Sequence, residues 1–202
     1  GTVDNVERVH ENSKVEIQRT AVAPNTDSII ATTGPSIQND IDTTYGIDKI
    51  NATRTWNGFE NRGDEIRVAV LDTGIDTSHP DLELTENGWA EFDVDGNEIE
   101  SDPYDSGSHG THVSGTVAGG NTSGTAVGVA PNSELMHGLV LPGGSGFFSQ
   151  ITAGMQWAVE NDADVISMSL GGGNRVDDYI GHIRNARAQG TIVVGSSGRS
   201  SR

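Results

Sequence analysis

The segment Val68–Asp76 reads VAVLDTGID, an unbroken apolar run that ends in an acidic turn. Because neighbouring positions such as Ala69 and Val70 are both apolar, we predict that Glu65–Asp72 is a strand covered on both faces, as in a parallel sheet. Asp72 then lies at the carboxyl end of that strand, where functional groups collect in parallel α/β sheets. The Thr-Gly pair that follows permits a tight turn there.

Strands and helices alternate along the rest of the chain. Further strands are predicted at Glu134–Leu141, Ala163–Leu170 and Thr191–Gly195. Helices are predicted at His109–Gly119, from an N-terminal cap at Ser149, and over Val176–Gln189. This alternation implies parallel pairing with right-handed crossovers. We therefore predict an α/β fold with a three-layer, doubly wound parallel sheet.

Acidic residues dominate the charge of the chain: 29 Asp and Glu stand against 12 Lys and Arg, giving a net charge of −17. Phosphate binding requires clustered Lys and Arg, so we expect no nucleic-acid partner. No apolar run approaches the roughly eighteen residues that cross a bilayer, so we expect no membrane partner. High salt screens the repulsion between crowded carboxylates, which favours adaptation to high salt over a merely soluble acidic surface.

The segment His109–Gly119 reads HGTHVSGTVAG and places a histidine at the start of a helix rich in small residues. Alone, Asp72 could be a turn former and His109 a structural histidine. Together, an aspartate followed by a histidine on rigid elements suggests an apparatus for activating a nucleophile. His112 offers an alternative, a zinc hydrolase, but the glutamate and the i,i+4 spacing of that motif are absent. We expect His112 to be a packed side chain near the site.

These two blocks resemble the aspartate and histidine motifs of the subtilisin-like serine proteases, in the same order. The resemblance runs from about Tyr45 to the end and includes the segment Val127–Pro131. It implies a subtilisin-like fold in which Asp72 holds and polarises His109, the general base toward a serine and then the general acid. The implied activity is serine endopeptidase cleavage of polypeptide substrates, secreted and extracellular.

The resemblance also implies a peptide-binding cleft. A substrate would lie as an added strand between two segments that expose backbone groups. These are Gly144, Ser145 and Gly146 on one side, and Ser169, Leu170 and Gly171 on the other. Ordinary glycine-rich loops are the alternative for either segment alone.

A calcium site is implied as well, because residues 119–128 match the family's calcium loop in length. The implied oxygen ligands are the carboxylate of Asp81 and groups of Gly120, Thr122, Gly124 and Ala126. Thr122 stands where the family commonly has asparagine, which weakens or removes one ligand. An ordinary surface loop remains the alternative. A second acidic segment, Trp89–Gly107, lacks EF-hand spacing and is expected to be a solvated loop.

The chain departs from the family pattern in its last part. It contains no Gly-Thr-Ser-Met-Ala block for the nucleophile, and Arg199 stands at the place of the oxyanion-hole asparagine. We therefore expect residues 45–202 to be the N-terminal portion of the catalytic domain, with the C-terminal part missing and no activity of its own. The alternative function is a non-catalytic remnant that binds peptides or a propeptide.

The first residues are polar, and only Val6–Asn12 carries a resemblance, to the closing strand of an inhibitory propeptide. Residues 1–24 are thus predicted to be a propeptide tail or an acidic extension, and residues 25–44 a linker. The chain's own propeptide is accordingly a candidate partner.

Overall fold

The computed structural model describes residues 12–17, 42–171 and 179–196. The strands are β1 (Lys14–Ile17), β2 (Asp42–Thr43), β3 (Arg67–Asp72), β4 (Leu84–Phe92), β5 (Glu98–Ile99), β6 (Thr125–Ala126), β7 (Glu134–Leu139), β8 (Ser145–Phe147), β9 (Val165–Met168), β10 (Leu170–Gly171) and β11 (Ile192–Gly195). The helices are α1 (Tyr45–Lys49), α2 (Ala52–Phe59), α3 (His109–Ala118), α4 (Phe148–Glu160) and α5 (Ile180–Ala188), with a 3-10 turn at Pro142–Gly144.

The main sheet has six strands in the order β11-β9-β3-β7-β4-β5. All neighbours pair in parallel except β4 and β5, which form an antiparallel hairpin. From β3 the chain moves to one side through β4 and β7 and later to the other through β9 and β11. The predicted α/β architecture with a parallel sheet is confirmed.

The two faces of β3 serve two different cores, because side chains alternate along a strand. Ala69 and Leu71 belong to the larger cluster, which also contains Met155 of α4. Val70, from the opposite face, joins a second cluster with Ala118 of α3. Each fully buried aliphatic side chain stabilises the fold by about 1.5–3 kcal/mol relative to exposure. The sheet therefore lies between layers of helices.

The cap predicted at Ser149 is wrong. The helix begins at Phe148, and its N-cap residue is Phe147, two residues before Ser149. Ser149 lies in the first turn, where its Oγ donates a hydrogen bond to the carbonyl of Val94 at 2.6 Å. Its backbone N–H is satisfied by Asn12 Oδ1 at 3.0 Å, so a residue distant in sequence supplies the cap.

The prediction that Trp89–Gly107 is a solvated loop is also partly wrong. β4 occupies its beginning, and β4 and β5 form a hairpin in which Glu91 pairs with Ile99. Residues 176–178, the predicted start of the last helix, lie outside the described residues. Within the described part of the chain, no helix has the length and apolar character needed to cross a membrane.

Candidate active site

Asp72 and His109 meet at the carboxyl end of β3. The side chain of Asp72 is completely buried, and its Oδ1 lies 2.7 Å from His109 Nδ1. An ionised carboxylate only accepts hydrogen bonds, so Nδ1 of His109 carries the proton and Nε2 is left free to accept another. The histidine side chain is 23% exposed, which leaves the ring open to solvent.

The turn after Asp72 also fixes the helix that begins with His109. Thr73 Oγ1 accepts a hydrogen bond from the backbone N–H of Gly110 at 2.8 Å and donates one to Asp105 Oδ1 at 2.7 Å. Asp105 Oδ2 accepts from the backbone N–H of Thr111 at 2.8 Å. Two N–H groups in the first turn of α3, which have no partner within the helix, are thereby satisfied. Asp72 and His109 are thus held by a shared network.

The environment of Asp72 disfavours its ionised form. Burial raises the pKa of Asp72, and the hydrogen bond from His109 only partly opposes this effect. The second carboxylate oxygen, Oδ2, is buried and has no hydrogen-bond partner among the described residues. A protonated His109 ring would therefore stabilise the ionised carboxylate more strongly here than beside an exposed carboxylate.

The environment of Asp105, in contrast, favours its ionised form. Although its partial burial acts to raise the pKa, hydrogen bonds from Thr111, Gly107 and Thr73 hold the pKa of Asp105 below its ordinary value. This residue was missed when the whole acidic segment was predicted to be solvated. The available signal was an aspartate shortly before the predicted helix start, a position suited to accepting the helix N–H groups.

His112 does not take the packed position predicted for it. It is exposed, because it lies on the side of α3 that faces solvent while Ser114 and Ala118 face the sheet. Among the described residues, no group of three or more His, Cys, Asp and Glu side chains is placed to hold a metal ion.

The two segments predicted to bind peptide lie on either side of a slot, and the slot is filled by the chain itself. β1 runs antiparallel between β8 and β10, with Val15 opposite Gly146 and Glu16 opposite Gly171. Val15 is only 4% exposed and belongs to the main core cluster. An extended segment therefore fits between the predicted peptide-binding residues as an added strand.

The glycines of β8 and of the turn before it lie close to neighbouring backbone and side chains. A Cβ atom at Gly146 would lie 2.0 Å from the carbonyl oxygen of Val140, so no side chain fits there. A Cβ at Gly144 would lie 3.4 Å from Ile17 Cδ1. Of the other predicted contacts, Leu170 pairs with Ile17, whereas no pairing of Ser169 with β1 is found among the described residues.

One hydroxyl connects the slot to the Asp72 turn. Ser106 Oγ donates to the carbonyl of Thr73 at 2.7 Å and accepts from the backbone N–H of Gly143 at 3.0 Å. In addition, the N–H groups of Val140 and Leu141 both donate to the carbonyl of Asp72 at 3.0 Å. The peptide slot and the Asp72–His109 pair are therefore parts of one connected site.

Part of the predicted calcium site comes together, because Asp81, Gly120 and Thr122 line one cavity. Asp81 is 7% exposed, its Oδ1 accepts from the N–H of Ser123 at 3.0 Å, and its carbonyl accepts from Gly120 N at 2.9 Å. Asp81 Oδ2 is buried without a hydrogen-bond partner in the described part of the chain. The carbonyl of Ala126 accepts from Thr44 N at 3.1 Å and keeps a second lone pair. A buried, unpaired carboxylate oxygen is a ligand that suits a hard cation such as calcium.

Sequence comparison assigns the family. The model of the Subtilase family matches residues 63–201, and the chain belongs to this family. It is 43% identical over 155 residues to the major intracellular serine protease of Bacillus subtilis, covering 76% of this chain and 48% of the relative. Similarity to the subtilisin of Bacillus pumilus is 42% identity over 157 residues, covering 76% of this chain and 54% of that protein.

Subtilisin E of Bacillus subtilis is 41% identical over 157 residues, which are 76% of this chain and 39% of that protein. The chain thus spans about half the length of the curated relatives it matches. The matched region includes Asp72, His109 and the slot segments. Arg199, expected at the place of the oxyanion-hole asparagine, lies outside the described residues.

Proposed function

We propose that this chain supplies the aspartate–histidine part and the peptide-binding slot of a subtilisin-type serine endopeptidase. The observation that carries the proposal is the 2.7 Å contact between the buried Asp72 Oδ1 and His109 Nδ1. It is supported by membership of a family whose relatives are named subtilisins and serine proteases. The substrates are polypeptides.

In this proposal His109 is the general base and Asp72 its orienting partner. The hydrogen bond from Nδ1 to Asp72 fixes the tautomer, so that Nε2 takes the proton of an attacking serine hydroxyl and later gives it to the leaving amine. The buried carboxylate stabilises the imidazolium formed in between. General acid–base catalysis of this kind contributes about 10²–10⁴-fold to the rate.

The peptide lies in the slot by main-chain pairing with β8 and β10. Backbone pairing gives affinity without regard to sequence, and the buried side of the slot selects an aliphatic side chain at the position that Val15 occupies. The segment containing β1 acts as a propeptide tail, and it inhibits the site by filling the slot in cis. Tethering gives it an effective concentration of about millimolar, which weak free peptides do not overcome.

A peptide with the sequence of residues 12–17, carrying a fluorophore, tests the slot. Val15→Asp places a charge in the apolar core cluster, so β1 leaves the slot and the variant binds the peptide at least about tenfold more tightly than the parent. Glu16→Gln, at an exposed position of the same strand, is the matched control and leaves affinity unchanged. Equal affinity of the parent and both variants for the peptide would contradict the proposal that peptide binds in the slot filled by β1.

We further propose a second candidate function, the binding of peptide without its cleavage. The occupation of the slot by β1 favours this second candidate function, a non-catalytic peptide- or propeptide-binding protein. A serine-directed phosphonate probe separates the two candidates. No covalent labelling is expected, and stoichiometric labelling of this chain would establish an active nucleophile.

Calcium is proposed as a structural ion held by Asp81 and by oxygen atoms of residues 120–126. The ion would neutralise the buried carboxylate of Asp81 and tie β6 to the turn that contains Asp81. We also propose that the protein is adapted to high salt, which its net charge of −17 supports. Finally, we propose that the protein works outside the cell. Because one relative is named an intracellular protease, the location needs its own test, and recovery of this protein from cells rather than from the medium would contradict it.

A further inference from the structure

His137 is a fully buried titratable side chain that the proposed function leaves unused. It lies in the middle of β7, next to β3, and has no solvent exposure. Its register partner on β3 is Val70, two residues before Asp72. Burial lowers the pKa of His137 to about 3, against a small opposing effect of Asp105, so the ring stays neutral near pH 7.

Both ring nitrogens of His137 have partners, and the partners lie on the two elements that carry Asp72 and His109. The backbone N–H of Gly74, in the turn after Asp72, donates to Nε2 at 3.1 Å. Nε2 must therefore be unprotonated, and the single proton of the neutral ring lies on Nδ1. Nδ1 donates it to Ser114 Oγ of α3 at 2.9 Å.

The first turn of α3 packs directly on this imidazole. A Cβ atom at Gly110 would lie 2.9 Å from His137 Cε1 and 2.1 Å from the carbonyl oxygen of Gly74. Trp89 stacks on the ring with a centroid distance of 6.2 Å and an interplanar angle of 22°. The ring therefore packs against both Trp89 and the residue that follows His109.

We propose that His137 is a positioning residue for the Asp72–His109 pair. Its imidazole connects the N–H of Gly74 to the hydroxyl of Ser114 and so sets the distance between the end of β3 and α3. A rigid ring with one acceptor and one donor on opposite sides spans that gap in a single tautomer. This inference rests on the proposed function, because it concerns the geometry of the proposed catalytic pair.

Nuclear magnetic resonance of the full chain tests the tautomer directly. The nitrogen shifts of His137 should report a neutral ring protonated at Nδ1 throughout about pH 5 to 8, the range in which an ordinary histidine titrates. A ring that titrates within this range, or one protonated at Nε2, overturns the proposal.

Substitutions then test positioning. His137→Phe keeps a ring against Trp89 but removes both hydrogen bonds, whereas His137→Gln retains an acceptor and a donor. In His137→Phe the Gly74 amide should exchange with water at least about tenfold faster, because this buried N–H loses its acceptor. The His109 Nδ1 proton should also exchange faster, because α3 is no longer held at a fixed distance from the end of β3 and the contact with Asp72 loosens. His137→Gln should restore the parent exchange rate of both protons.

His112→Phe, on the exposed side of α3, is the matched control and should change neither readout. If His137→Phe does not fold, Ser114→Ala removes one of the two bonds with a smaller change in volume, and it should accelerate exchange of the His109 proton. Parent-like exchange of both protons in the folded variants would show that His137 is only a core residue. Absence of a protected His109 Nδ1 proton in the parent would instead refute the proposed catalytic pair.

Discussion

Thr73 caps the helix that His109 begins: its Oγ1 accepts the backbone N–H of Gly110 at 2.8 Å. The residue directly after the buried aspartate therefore helps to place the imidazole. Asp72 and His109 are 37 residues apart in sequence, yet one hydroxyl group joins their supporting elements.

Replacing this hydroxyl should destabilise the fold. Thr73→Val keeps the shape of the side chain but removes the bonds to Gly110 and Asp105, and we expect the free energy of unfolding to fall by about 1–2 kcal/mol. Urea denaturation measures the change. Thr73→Ser keeps the hydroxyl and should lose less than half as much, and equal losses would mean that the methyl group, not the hydrogen bonds, matters.

Asp72→Asn should change the pH dependence of stability. Burial raises the pKa of Asp72, so above about pH 4, the value for an unfolded chain, the unfolded state loses its proton first. The contribution of Asp72 is therefore most favourable below that pH and declines as pH rises through the folded-state pKa. Asparagine does not ionise, so the stability of the variant relative to the parent should increase with pH. Urea denaturation at several pH values checks this, and a constant or falling difference would contradict it.

Two glycine substitutions should act in opposite directions. In Gly146→Ala the new methyl would meet the Val140 carbonyl at 2.0 Å, so β8 must shift, at a cost of about 1–3 kcal/mol. Gly115→Ala is the matched control, since nothing lies within 4 Å of a Cβ atom there. Alanine favours the helix, so this change should stabilise by about 0.5–1 kcal/mol. Thermal melts that rank Gly146→Ala at or above the parent would show that β8 is not constrained.

Calcium should stabilise the parent but not Asp81→Asn. At about 100 times its dissociation constant a bound ion adds about 2.7 kcal/mol, which corresponds to an increase in Tm of about 5–10 °C. Magnesium is the control ion, because its strict octahedral geometry suits a loop of carbonyls poorly. Melting curves with calcium, with magnesium and with a chelator measure the effect. Equal Tm values of the parent under all three conditions would contradict the proposed calcium site.

Salt should stabilise the protein near pH 7, where 29 acidic residues stand against 12 basic ones. Raising the ionic strength from about 0.01 to about 1 M shortens the screening length from about 30 to 3 Å, so the free energy of unfolding should rise. The same series at pH 4.4, the isoelectric point, is the control, because net self-repulsion is absent there. Identical salt dependence at both pH values would contradict a charge-based adaptation.

The sequence pattern predicted β3, β7 and β9 because each is an apolar run whose own residues indicate a buried strand. It did not predict β4, which reads LTENGWAEF and depends on pairing with β7. The slot segments were found through resemblance, and the alternation at Val15 and Ile17 was visible, but no local signal shows which sheet edge a short strand will join. The contacts of Asp105 and His137 were missed for the same reason: their partners lie far away in sequence.

The hydroxyl of Ser106 connects the peptide slot to the backbone beside Asp72. It holds the carbonyl of Thr73 and the N–H of Gly143 at the same time, so a ligand that draws residues 142–144 toward itself pulls on the backbone beside Asp72. We expect strand insertion and carboxylate geometry to be energetically linked, each affecting the other by the same free energy. Binding of a strand in the slot would then change the contact between Asp72 and His109.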